Sequence, residues 1–246
     1  MIRRYLLGAG RRVQFSLKNP GYAARALFAE FTNADEKFLA HVTGAPWRRV
    51  REYIEEPLED PEFLGHLRQW QRDFEQLQMA GAELFAKKIL VQYAVVRALA
   101  PDKVVETGVA NGVSSAYLLH ALRRNEKGHL YSVEINDPSY LPPGRAPGWL
   151  VPENLRCHWT MILGSSENVL LGLLTQLRKI DVFIHDSLHT YEHMKFEFDL
   201  VYPFLRPGGV LLADDATWNP AFPEFVVASR ASTSRIIRGV GVLTKP

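Results

Sequence analysis

The chain has 246 residues, 47% of them apolar, with 29 basic and 27 acidic side chains for a net charge of +2, and a single cysteine. That content suits one large α/β domain, or one domain with a helical extension, and is not the composition of a disordered chain. The balanced charge, with no basic block interleaved with aromatics, gives no reason to invoke nucleic acid, and one cysteine excludes a disulfide framework or a multi-cysteine zinc site.

Cys157 reads as a small core or boundary residue. No apolar run approaches the ~20 residues that cross a bilayer, so no membrane span is expected and a soluble cytoplasmic protein is the default. The first 29 residues hold Arg3, Arg4, Arg11, Arg12, Lys18 and Arg25 and no acidic residue. With few hydroxyl residues and no cleavage pattern, they read as the basic face of an N-terminal helix rather than a transit peptide.

Residues 1–99 are rich in helix formers. Ala24, Leu27, Phe28 and Phe31 form one stripe at helical spacing, and Phe63, Leu67, Trp70 and Phe74 another. Asn33 or Asp35 could cap a helix through Phe38 and Val42, Asp60 followed by Pro61 marks another helix start, and FAKKILVQYAVVRAL at 85–99 reads as a third helix. This region is expected to act as a lid or a dimer contact.

Residues 100–246 change texture. Short apolar runs at 103–107, 129–134, 159–163, 180–185 and 209–213 read as strands, and amphipathic stretches at 114–124, 166–178 and 191–205 as helices between them. Residues 234–245 look like a closing strand. Strands alternating with helices of this length imply crossovers and a doubly wound, mostly parallel sheet covered on both faces. Ligands in such sheets bind beyond the carboxyl ends of the strands. The proline-rich stretch 138–152 is a loop long enough to suggest a role at that site.

The first strand ends in ETGVANGVSS, residues 106–115. Its glycines, Gly108 and Gly112, lie four apart and lack the spacing of a pyrophosphate-binding turn, which argues against a nicotinamide enzyme. Glycine still lets the backbone approach a ligand, and the next helix presents its amino end. Glu106 adds a negative charge that suits a cationic ligand. Glu134 closes the second strand, where a carboxylate can accept from ribose hydroxyls. The third ends in Gly164, Ser165 and Ser166, small and polar, where an adenine edge could be read.

Asp186 follows the fourth strand, and Asp214 and Asp215 follow the fifth. Carboxylates this close would repel, and one would take up a proton unless a divalent cation were present. Oxygen ligands suit Mg²⁺ or another hard divalent ion.

Residues 100–215 resemble the class I S-adenosylmethionine-dependent methyltransferases, and the run from Glu106 to Ser114 is especially similar to catechol-type and macrolide-sugar O-methyltransferases. The resemblance implies a seven-stranded Rossmann-like sheet. It implies that Gly108 and its loop, with Glu106 and Ser114, face the methionine part of the cofactor, that Glu134 holds its ribose and that Ser166 lies by the adenine. The metal-dependent members carry an Asp after the fourth strand and an Asp-Asp or Asp-Asn pair later, which Asp186, Asp214 and Asp215 match. The macrolide-sugar enzymes also place a histidine three residues after the first Asp, and His189 stands there; the catechol-type enzymes use a lysine in that region as base, and this chain departs from them.

Together these features lead us to expect divalent-metal-dependent methyl transfer from S-adenosylmethionine to a hydroxyl of a saccharide or glycosylated product, a small-molecule or oligosaccharide acceptor, with His189 as base and Asp186 in both the metal and cofactor shells. His185 and His193 rank behind His189. Tyr140, Arg145, Trp149, Trp218 and Asn219 are candidate walls of the acceptor pocket. A homo-oligomer, by resemblance a dimer, is expected. A catechol or other phenol acceptor stays open, as does a nucleoside-binding protein without turnover.

Overall fold

The structure is a computed structural model, and it describes residues 33–70 and 87–246. The stripe Ala24–Phe31, the basic residues before it, and Phe74 lie outside the described residues.

Among the described residues, four helices precede the sheet: α1 (Ala34–Thr43), α2 (Trp47–Glu59), α3 (Pro61–Gln69) and α4 (Lys87–Leu99). Asn33 stands at the start of α1 but makes no side-chain cap, and Asp35 falls in the first turn. The start at Asp60 is as expected: its carboxylate accepts from the backbone N–H groups of Glu62 and Phe63, and Pro61 opens the helix with the φ it already prefers. Helix α2, which holds Pro57 inside it, was not expected. The proline comes in the last turn, where the disruption is confined to the helix end.

Strands β1 (Lys103–Thr107), β2 (His129–Glu134), β3 (Trp159–Leu163) and β4 (Ile180–His185) have the expected bounds. Strand β5 (Leu205–Ala213) begins earlier than expected, passing through Pro207 and Gly208 with a register shift against β4. The single closing strand expected at 234–245 is instead a hairpin, β6 (Thr233–Ile237) and β7 (Val240–Thr244). Arg238 and Gly239 both take positive φ, 54° and 92°, which is the geometry of a two-residue turn between twisted strands.

The seven strands form one sheet in the order β3-β2-β1-β4-β5-β7-β6, parallel except for β7. Helices α5 (Val113–Asn125), α6 (Ser166–Leu177) and α7 (Tyr191–Val201) make the crossovers, and α8 (Ala221–Ser229) leads into the hairpin. The expected helix 191–205 stops at Val201, since Pro203 tightens the chain into a 3₁₀ turn.

Alternation along the strands builds two cores. Val104, Val182, Ile184, Val210, Leu212 and Val242 pack with Leu39, Val50, Phe63, α4 and α5. Val105, Phe183, Leu211, Ala213 and Leu243 pack with α6, α7 and α8. The sheet is thus covered on both faces, as its apolar runs required. The strand order reverses between β1 and β4, the point where such sheets open a crevice at their carboxyl ends. No described helix is long and apolar enough to cross a membrane.

Candidate functional site

Thr107 pairs with His185, and His185 with Ala213, so the residues that follow β1, β4 and β5 emerge side by side. Two backbone bonds continue the ladder past the strands: Asp186 N–H to Thr107 O at 2.9 Å, and Asp214 N–H to His185 O at 2.8 Å. Gly108 turns away at φ 86°, and a Cβ there would collide with the carbonyl of Asp186. The glycine-rich loop can therefore lie directly against the fourth strand's tip only because residue 108 has no side chain.

Glu134 holds that loop in place. Its Oε2 accepts the N–H groups of Val109 (2.6 Å) and Ala110 (2.7 Å), and Oε1 accepts that of Asn136 (3.2 Å). A carboxylate has about four acceptor sites, so little capacity remains for a ribose unless a ligand rearranges these bonds. Glu106 does not stand at an open tip as a fixed charge. It is fully buried, its Oε1 accepts from Ser115 (2.6 Å) and Ser132 (2.5 Å), and its Oε2 is buried without a partner. Burial pushes its carboxyl up to about 7. A cationic amine reaching Oε2 would fit both its charge and its missing bond. Ser114 is buried at the start of α5, and its neighbour Ser115, not assigned a role from sequence, is the one that meets Glu106. Ser166 begins α6 and lies 3.2 Å from His193 Nε2.

At the next tips, Asp186, His189 and Asp214 each offer a ligand atom within 4.8 Å of the others. His189 Nε2 lies 3.8 Å from Asp186 Oδ1. Both His189 Nε2 and Asp214 Oδ1 are buried with no hydrogen-bond partner. Desolvation and then the charge of Asp214 raise the Asp186 carboxyl well above the usual carboxylate range, the proton uptake anticipated for crowded carboxylates. The carboxylate oxygens of Asp186 and Asp214, the latter with an unpartnered oxygen, fit a hard divalent cation such as Mg²⁺ or Mn²⁺, with the His189 imidazole beside them. Asp215 follows with a positive φ of 47° and pairs instead with Lys88, at 3.6 Å. Burial, then the neighbouring His185, lowers His189, which favours the neutral imidazole.

Two positions that meet this cluster or the strand tips that carry it escaped sequence reasoning. Lys88, on α4, places its ammonium 2.5 Å from Asp214 Oδ2. Glu197, fully buried on α7, binds His185 Nδ1 (2.7 Å), Thr107 Oγ1 (2.6 Å), Ser187 Oγ (2.9 Å) and His193 Nε2 (3.0 Å). The signal for Glu197 was present: it interrupts the buried stripe of Met194, Phe198 and Val201. A charge on that stripe needs partners. Lys88 gave a weaker signal, one of two adjacent lysines entering an apolar helix.

The loop 138–152 docks on the glycine-rich loop, with Gly148 N–H bonded to Ala110 O and Leu150 N–H to Asn111 O. Trp149 Nε1 donates to Asn111 Oδ1 at 2.8 Å, and Arg145 stacks between the rings of Trp70 and Trp149. The side chain of Tyr140 is outside those described. Trp218 keeps 69% of its surface exposed, with its ring centre 5.3 Å from that of His189. Asn219 donates to His189 O, fixing the backbone beneath that ring. Cys157, expected at the core or its boundary, is exposed, because its turn Glu153–His158 buries Leu155 instead.

Residues 105–216 match a family model described as a methyltransferase domain. A demethylmacrocin O-methyltransferase of Streptomyces fradiae is 27% identical over 103 residues, 40% of this chain and 22% of that protein, so the match spans about a fifth of the relative's length. Among solved structures, an O-methyltransferase from Bacillus cereus in complex with SAH aligns with TM-score 0.55 at 15% identity, covering 79% of this chain and 96% of that one. An SAH-bound methyltransferase from Podospora anserina aligns with TM-score 0.54 at 13% identity, covering 81% and 94%. At these identities the shared feature is the fold.

Proposed function

We propose that this chain, which carries a methyltransferase domain on a class I Rossmann-like fold, is an S-adenosylmethionine-dependent and divalent-metal-dependent O-methyltransferase acting on a hydroxyl of a saccharide or glycosylated product. The observation that carries this reading is the meeting of Asp186, His189 and Asp214, with buried unpartnered ligand atoms, beside the glycine-rich loop at the switch point of the sheet.

The sulfonium donor supplies an activated methyl group, and a divalent ion lowers the pKa of an alcohol and orients it. The rest falls to the chain's own residues. The loop from Gly108 to Gly112 and Glu134 bind the donor, Ser114 and Ser166 lie along it, and Glu106, buried behind the loop, supplies the carboxylate that favours its cationic part. Transfer to oxygen is an in-line displacement, so fixing donor and acceptor on adjacent strand tips supplies much of the acceleration. Asp186 and Asp214 hold the cation, with Asp215 at its edge. His189 removes the hydroxyl proton; as a neutral imidazole beside Asp186 it can accept it and shed it to solvent. The helices before residue 100 serve as a lid over this edge, from which Lys88 already reaches in.

The saccharide preference is supported by the relative named for demethylmacrocin and by the exposed Trp218 beside His189, an apolar ring suited to a sugar face. The test is transfer of radiolabelled methyl from S-adenosylmethionine to a panel of sugars, macrolide glycosides and catechols, with EDTA or with Mg²⁺. Metal-dependent labelling of a glycoside is expected. Labelling of catechols alone would move the acceptor to the phenol class, and labelling unaffected by EDTA would remove the metal.

A further inference from the structure

The two oxygens of Asp214 are in different situations. Oδ2 holds the Lys88 ammonium at 2.5 Å, while Oδ1 is buried with no partner and belongs to the group formed with Asp186 and His189. The side chain of Asp214 is 1% exposed and that of Lys88 33%. A buried carboxylate cannot stay ionised without a compensating charge. Among the described residues, Lys88 is the lysine or arginine recorded in ion pairs with Asp214 and Asp215, and it comes from a helix 126 positions earlier in the chain.

Resting on the reading of Asp186 and Asp214 as a divalent-cation site beside His189, we propose that Lys88 is a tethered competitor for that site, holding Asp214 while the site is free of metal and giving it up when a divalent ion binds. Three features support this exchange. First, a divalent ion on Asp214 Oδ1 would lie within a few ångströms of the ammonium on Oδ2, and like charges at that range repel strongly in a half-buried setting. Second, of the two partners only Lys88 is free to leave. Asp214 is fixed by its backbone bond to His185 and fully buried, whereas a third of the lysine side chain is exposed. Third, α4 itself is anchored, since every residue from Ile89 to Val96 is buried. The side chain can therefore swing without unseating the helix. Lys88 thus allows the metal-free protein to fold with Asp214 buried, at the expense of weaker metal binding.

The test is Mn²⁺ titration followed by electron paramagnetic resonance, with thermal unfolding of the same samples with and without Mn²⁺, for wild type and Lys88→Met. The variant is expected to bind Mn²⁺ at least about tenfold more tightly. It should also melt lower than wild type without metal and gain more in Tm when metal is added, because a tighter ligand stabilises more. Lys88→Gln, whose amide still donates to Asp214, should show the same direction and serves if Lys88→Met does not fold. Equal Mn²⁺ affinity in wild type and variant would overturn the competition while leaving the metal site intact. Binding only in the variant would uphold it and remove metal from the wild-type reaction. No binding in either would overturn both readings.

Discussion

His185 and Glu197 meet at 2.7 Å beneath the tip of β4, and neither is accessible to solvent. The same carboxylate gathers Thr107 from β1, Ser187 from the loop after β4 and His193 from its own helix. Burial alone would raise Glu197, but the hydrogen bonds from His185 and His193 outweigh it and hold the group far below the usual carboxylate range. One ionised side chain thus fastens α7 to the strand tips that carry the site.

Removing that carboxylate should be costly. Glu197→Ala leaves several buried donors without an acceptor and is expected to lower unfolding free energy by about 3–5 kcal/mol. Glu197→Gln keeps one acceptor and should lose less. Urea unfolding measures both, and a loss under about 1 kcal/mol in the alanine variant would mean the network is not what holds α7 in place.

Gly108→Ala tests the close approach of loop and strand. The added Cβ would meet the Asp186 carbonyl, and the backbone at φ 86° disfavours any side chain. The loop must shift, so SAH affinity should fall at least about tenfold, with about 1–3 kcal/mol lost in stability. Calorimetric titration checks the first and thermal unfolding the second; unchanged affinity would show that the loop does not touch the cofactor.

Asp186→Asn and His189→Ala separate metal binding from proton transfer. Asp186→Asn should abolish Mn²⁺ binding and metal-dependent turnover while leaving SAH binding measurable. His189→Ala should cut kcat by at least ~10² with Mn²⁺ affinity within a few-fold of wild type. If Mn²⁺ affinity collapses in His189→Ala, the histidine is a ligand and another group takes the proton.

Acid stability should depend on a second, half-buried carboxylate, Glu56 on α2. Burial would raise Glu56, but hydrogen bonds from Arg97 and Tyr93 bring its carboxyl down to about 2, from an ordinary 4.5. A depressed folded-state pKa gives stability that is present above the unfolded pKa and lost as pH falls toward the folded one. Glu56→Gln should therefore cost about 2–3 kcal/mol at pH 7. The difference from wild type should shrink between pH 5 and pH 2. A difference independent of pH would assign the effect to packing rather than charge.

The parallel half of the sheet could be read from the sequence because each strand is a short apolar run with a charged or small residue at its end, as at Glu134 and Asp186. What escaped depends on chain reversal and distance. The hairpin at Arg238 and Gly239 lacks the Asn-Gly pair that usually announces such a turn, so two strands read as one. Helix α2 was hidden by Pro57, which marks a break by propensity but is tolerated near the helix end. Within the site, Asp186, His189 and Asp214 were legible because they follow strands, and their order along the chain gives their order in space. Lys88 was not, because nothing local to α4 signals a carboxylate 126 positions away. Nor could the sequence tell that Glu106 would be buried between Ser115 and Ser132 instead of facing an open crevice.

The most direct test of the proposed activity is calorimetric titration of S-adenosylhomocysteine into the full chain, in EDTA and again in excess Mg²⁺ with the sugar panel, alongside Glu134→Ala. Micromolar binding to wild type in both buffers is expected, with loss of at least about tenfold in the variant and sugar binding only when Mg²⁺ is present. No detectable binding of the nucleoside under either condition would contradict the cofactor assignment and with it the proposed methyl transfer.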